Sequence, residues 1–256
     1  MTRPRDARAT AIGWTLALLA SLLLWNVPLG AGVLYPFKLL STWTHEMAHA
    51  VTMTVTGAGF QRLEVFRDTS GQAFASSSVL GVGGAAIAAA GYMGAPLWGA
   101  IMLLIARDAR RARLALAGLA LVLSASAALM IANRFGQVAM TAIAVPIAAI
   151  AALAPPRWAI GVAQLLAAQA CVNAVLDIRV LFRPTQVVDG VPLARSDAHE
   201  MADLTFGTTA DWAVWLWAGV WLAWSLLLLY VALRRIQHVR PPARTSDVSG
   251  SPAAPT

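Results

Sequence analysis

Five consecutive residues hold the densest chemistry in this sequence: His45-Glu46-Met47-Ala48-His49. On a helix, His45 and His49 lie one turn apart and share a face. That spacing lets both imidazoles bind one tetrahedral Zn2+, leaving positions for a third ligand and a water. Glu46 is not a ligand in this arrangement. It is placed to take a proton from the water that zinc activates, and to pass it to a leaving amine after attack on a carbonyl. With four histidines and three glutamates in 256 residues, chance placement gives His-Glu-x-x-His in about one such chain in a thousand. The setting adds weight, because His and Glu are costly in a lipid-buried segment and mark function there. The alternative is a segment at the membrane interface whose His and Glu face water or cap a neighbour.

Zinc needs a third ligand. Asp177 interrupts the apolar run Leu165–Phe182 and requires a partner to be tolerated there. Asn173, one turn earlier on the same face, is a candidate to orient a ligand or bind the substrate backbone. Asp177 pairing with Arg179 or Arg183 at the helix end is the competing explanation. Asp189-Gly190 is a rival ligand, although Asp-Gly in a polar loop ordinarily makes a turn. His199-Glu200-Met201-Ala202-Asp203 nearly copies the first motif and ends in Asp. It reads as a second metal site or, as its polar surroundings favour, a solvated helix.

The elements that position these groups are membrane helices. The chain is 59% hydrophobic and 12% charged, with a mean hydropathy of +0.66. Soluble domains average about 25% charged residues. The charge is also segregated, with apolar runs near 12–34, 38–56, 79–105, 114–132, 137–154, 158–182 and 212–233. An all-α polytopic membrane protein of about six to seven transmembrane helices follows. One membrane-embedded domain is expected over 1–236, and a disordered tail rich in Pro, Ser and Ala over 237–256. The run from Ile12 is read as an uncleaved span rather than a signal peptide, since no small-residue cleavage site follows in time. The net charge of +7 does not point to nucleic acid. Its arginines flank apolar runs, at Arg107-Arg110-Arg111-Arg113 and Arg234-Arg235 for example, as juxtamembrane anchors do. Basic residues divide almost evenly between the two sides, so orientation stays open. Cys171 is the only cysteine, which excludes a disulfide framework and a Cys-based zinc knuckle.

Two stretches break the helical pattern. Phe60, Leu63, Val65, Ala73 and Phe74 flank Asp68-Thr69-Ser70-Gly71 and predict a short β-hairpin after the second apolar segment. The polar loop 183–211 predicts a short amphipathic helix starting near Ser196, with Ser as N-cap and acidic residues in its first turn. Gly91 and Ala95, one turn apart, suit close helix packing, with a hinge as the alternative.

His45–His49 in a membrane segment, Thr56-Gly57, the β-like stretch, Ala90-Gly91-Tyr92-Met93-Gly94 and Ser196-Asp197-Ala198 together resemble the M50 (site-2 protease) class, and within it the peptidase M50B-like group. The resemblance spans about residues 38 to 230. It implies a zinc enzyme that cleaves transmembrane protein or peptide substrates within or near the bilayer, in a bacterial cell membrane. Within it His45 and His49 match the zinc ligands and Glu46 the acid/base. Asp177 takes the place of the Asp in the second site-2 motif, Asn-x-x-Pro followed by Asp-Gly. This chain has Asn173 and Asp177 but lacks that proline and that glycine. An inactive relative that binds or escorts membrane proteins is therefore the second reading. A transporter is the third, though it would spread ionisable residues over more helices.

Overall fold

The computed structural model describes residues 23–24, 27–182, 186–193 and 195–237. Most of the expected first span, 12–34, and the expected tail lie outside them. Helix α1 (Pro28–Val55) opens with a proline at its first position and runs through Pro36. The expected break between the first two apolar segments, at 35–37, therefore lies inside one helix. A proline removes one helical hydrogen bond, and buried Leu34, Leu39 and Leu40 hold the helix on either side of it. Thr44, Thr52 and Thr54 each donate to the carbonyl four residues back, which satisfies their hydroxyls.

After α1 the chain turns sharply, with Gly57 and Gly59 at φ of 81° and 70°. Strands β1 (Phe60–Val65) and β2 (Gly71–Ala75) then form the expected hairpin, pairing Leu63 with Ala73 and Val65 with Gly71. Four long helices follow: α2 (Gly81–Ile105), α3 (Ala109–Leu129), α4 (Arg134–Leu153) and α5 (Pro156–Asp177), the last continued by a 3₁₀ turn to Phe182. A second small hairpin, β3 (Gln186–Val188) and β4 (Val191–Leu193), leads to α6 (Asp197–Phe206) and the long α7 (Asp211–Gln237). Among the described residues five helices are long and apolar enough to cross a membrane: α2, α3, α4, α5 with its 3₁₀ extension, and α7. They match five of the expected segments. Helix α1 is long enough but carries Lys38, His45, Glu46 and His49.

The buried residues form two apolar clusters. The larger joins α1, β1 and α2 to α5 around Leu63, Leu116, Leu123 and Met140, none of them exposed. The smaller joins α2, α6 and α7 around Tyr92, Ala198, Ala202 and Trp221. The functional motif on α1 lies between them.

The first hairpin is fixed on one edge only. Leu63 bridges to Ile131 in the α3–α4 connection, its amide donating to Met130 and its carbonyl accepting from Ala132. Asn133 completes the clamp, accepting from the Val65 amide at 3.1 Å and donating to the Val65 carbonyl at 2.6 Å. Removing both bonds strands polar groups of β1, at about 1–3 kcal/mol for a buried unsatisfied group. Asn133→Ala is expected to lower the thermal unfolding midpoint in detergent and to speed proteolysis within 60–75. Asn133→Asp, which keeps the acceptor for Val65 N–H, should lose less.

Candidate metal centre

His45 and His49 present their Nε2 atoms 3.1 Å apart from successive turns of α1. The carboxylate that meets them is Asp197, the first residue of α6. Its Oδ2 lies 3.0 Å from His45 Nε2 and 3.3 Å from His49 Nε2. These three residues are the one group among the described residues whose ligand atoms converge closely enough to share a metal ion.

Local structure explains why Asp197 arrives there. Ser196 is extended at the N-cap and its amide donates to His199 Nδ1, so the helix begins at Asp197. An acidic side chain in a first turn is favoured by the helix dipole. Ala198 and Ala202, one turn apart and fully buried, seat α6 against α2 and α7 and so turn Asp197 inward. Burial works against the Asp197 carboxylate, but the imidazoles of His49 and His45 outweigh it and hold its pKa well below the usual carboxylate range. It stands ionised at neutral pH, the form that ligates metals.

The donor set fits zinc. Zn–N and Zn–O bonds of about 2.0–2.2 Å in a tetrahedron separate donor atoms by about 3.3 Å or slightly more, and this triangle is only marginally tighter. His49 Nδ1 lies 2.8 Å from the Ile87 carbonyl. A carbonyl only accepts, so Nδ1 carries a proton; a neutral ring, the form that binds zinc, would turn its Nε2 lone pair to the other two ligand atoms. Three electron-rich atoms at this separation repel one another unless a proton or a cation sits among them.

Helix α2 holds His45 in place. A Cβ on Gly91 would fall 2.1 Å from His45 Nε2, and one on Gly94 would fall 2.6 Å from the Ala48 Cβ. The glycines thus admit the imidazole and the α1 backbone, which is the packing role expected of Gly91. Tyr92 meets the His45 ring edge-on at 4.7 Å between centroids, and Trp221 of α7 stacks on Tyr92 at 5.0 Å.

Glu46 is buried at 8% exposure and lines a cavity of about 190 Å³ together with His45, His49, Asp197 and the β2 residues Gly71 to Ala73. Gly71 permits this approach, since a Cβ there would fall 2.8 Å from Glu46 Cγ. Ala73 and Glu46 share the wall of this cavity. Thr42 anchors the hairpin turn to α1 by donating to the Thr69 carbonyl at 2.6 Å.

The remaining sequence candidates fall elsewhere. Asp177 is not in the converging group. It ends α5, where its Oδ2 accepts from Ser41 Oγ at 3.2 Å, one turn of α1 before His45. It lines a neighbouring cavity of about 330 Å³ that also touches His45 and Glu46. Asn173 is 1% exposed, donates to the Phe37 carbonyl at 3.0 Å, and ties α5 to α1. It lines neither cavity. Asp189 and Gly190 form the β3–β4 turn with φ of 49° and 76°, and their amides donate to Ser70 Oγ and Asp68 Oδ2 of the first hairpin. The near-copy motif is a helix: His199 serves the Ser196 cap and Asp203 pairs with Arg195 at 3.0 Å. Asp197, the carboxylate that converges on the two histidines, stood in the Ser196-Asp197-Ala198 signal and was not among the ligand candidates drawn from the sequence. That signal gave a helix start but no reason for it to fold back on α1.

The family description "peptidase M50B-like" matches residues 14–232. The chain belongs to the peptidase M50B-like family. No curated protein and no solved structure matches it. Within this M50B-like chain His45 packs against Gly91 and Tyr92, and Glu46 against Gly71 of the first hairpin. Because the His45 ring needs the space a Cβ would fill, Gly91→Ala should lower zinc bound per purified chain at least tenfold. Gly118→Ala, where a Cβ meets nothing within 4 Å, should leave it unchanged.

Proposed function

We propose that this M50B-like protein is an intramembrane zinc metallopeptidase in which His45, His49 and Asp197 hold the metal and Glu46 is the acid/base. The observation that carries this reading is the convergence of three ligand atoms beside a buried glutamate, in a cavity walled by a strand edge. Zinc held there would supply an activated water at neutral pH and polarise the scissile carbonyl. Glu46 would be placed to accept a proton from the nucleophile and return it to the leaving amine.

Substrate presentation follows from the hairpin. A transmembrane helix bonds its own amides, so its scissile segment must unwind before attack. One edge of the hairpin is closed by residues 130–133, whereas the β2 edge borders the cavity. An unwound peptide adding to that edge would regain main-chain hydrogen bonds and bring its carbonyl past Glu46. The β3–β4 hairpin contributes Val188 to the same cavity wall.

An inactive escort protein was suggested by the incomplete second motif. Asp197 offers a third donor from a different part of the chain, so the incomplete second motif no longer argues against a complete metal site.

Two measurements on reconstituted protein test it. For zinc content, Asp197→Asn should fall well below one zinc per chain while Asp177→Asn stays near wild type; the reverse would return the ligand role to Asp177. For cleavage of a pool of single-span membrane peptides read by mass spectrometry, Glu46→Gln should keep its zinc and lose about 10²–10⁴-fold in rate. Wild-type rates in the Glu46→Gln protein would sink the mechanism.

A further inference from the structure

A second site lies away from the metal centre, between α3 and α4. It is a cleft of about 790 Å³ whose wall is almost entirely apolar, with Ala117, Leu121, Ala148 and Ala152 on its sides and Arg110 and Arg113 at one end. That volume sits within the range of about 300–1,000 Å³ typical of ligand pockets.

The two arginines are not neutralised. Asp108, the N-cap of α3, is engaged by Arg111, accepting from its amide at 2.9 Å and pairing with its guanidinium at 3.4 Å. Arg110 has no ion-pair or hydrogen-bond partner among the described residues. Arg113 donates from Nη2 to the Ala154 carbonyl at 2.7 Å, but its Nε is buried with no hydrogen-bond partner among the described residues. A guanidinium with a buried, unsatisfied N–H beside an apolar cleft is costly unless an anion completes it.

The cleft's shape narrows the identity of that anion. On α3 it extends from Arg110 to Ser124, about 20 Å at 1.5 Å per residue. One leaflet of hydrocarbon is about 15 Å deep. Both walls belong to helices apolar enough to span the membrane, so an apolar chain lies along the cleft while its charged end stays at the arginines. Guanidinium groups match phosphate oxygens in charge and in fork geometry.

We propose that this cleft binds an anionic phospholipid, with its phosphate on Arg110 and Arg113 and one acyl chain along Ala117 and Leu121. The test is native mass spectrometry of the purified full chain, offered phosphatidylglycerol or phosphatidylcholine with identical acyl chains. Wild type should retain the anionic lipid at least fivefold better. Arg110→Gln should reduce that preference at least twofold, and Arg110→Gln with Arg113→Gln should abolish it. Arg110 is exposed, so its variant keeps the test decisive if the double variant fails to fold. Ala117→Trp, which fills the cleft and leaves both charges, should lower retention of the anionic lipid. Equal retention of the two lipids by wild type would overturn the proposal. So would displacement of bound lipid by millimolar inorganic phosphate alone, which would mark a headgroup site without a chain. A dimer through α3 and α4 that retains no lipid would overturn it as well.

Discussion

Asp197 Oδ2 meets two imidazoles that stand 152 residues or fewer before it in the chain, and most of the architecture serves that meeting. The imidazoles alone are set by helical spacing on α1. The carboxylate requires a polar loop to cross back over the membrane helices and start a helix at the right residue. Each neighbour then removes a freedom. Gly91 lets α2 press on His45, the Ile87 carbonyl fixes the His49 ring, and the buried alanines of α6 hold Asp197 inward. With metal absent, three electron-rich atoms would face each other at close range. The geometry is consistent only with a cation or proton among them.

The two hairpins follow from the same constraint. Backbone groups buried among membrane helices must be satisfied inside the protein. The first hairpin meets this by pairing β1 with residues 130–133 on one edge and β2 on the other. The outer edge of β2 then faces Glu46 and the polar cavity rather than lipid. Its turn is clipped to the β3–β4 turn through Asp68 and Ser70, so the segment leading to Asp197 is registered against the hairpin that borders Glu46. Asp197 and Glu46 are thereby located relative to each other through hydrogen bonds between the two turns as well as through packing.

Local features of the sequence were informative where chemistry is set by short spacing. His45, Glu46 and His49, the turn at Asp68–Gly71, the N-cap at Ser196 and five apolar spans all depend on residues within a few positions of each other. The continuity of α1 through Pro36 was not legible, because tertiary packing on both sides overrides a local break. Nor was the third converging donor. Asp177 drew attention as a carboxylate in an apolar run, and its cost there is met by Ser41 and by a polar cavity instead. Asp197 sat in a polar loop where a carboxylate is unremarkable, and only long-range packing of Ala198 and Ala202 gives it a different role. A charge out of place can be read from sequence, whereas a charge brought into place by folding cannot.

The central claim is a metal held by His45, His49 and Asp197. Anomalous X-ray diffraction at the zinc edge, from crystals of zinc-loaded protein, tests it most directly. The account predicts one strong peak at about 2.0–2.2 Å from His45 Nε2, His49 Nε2 and an Asp197 carboxylate oxygen. A peak ligated by Asp177 in place of Asp197, or no peak between the two histidines, would contradict it.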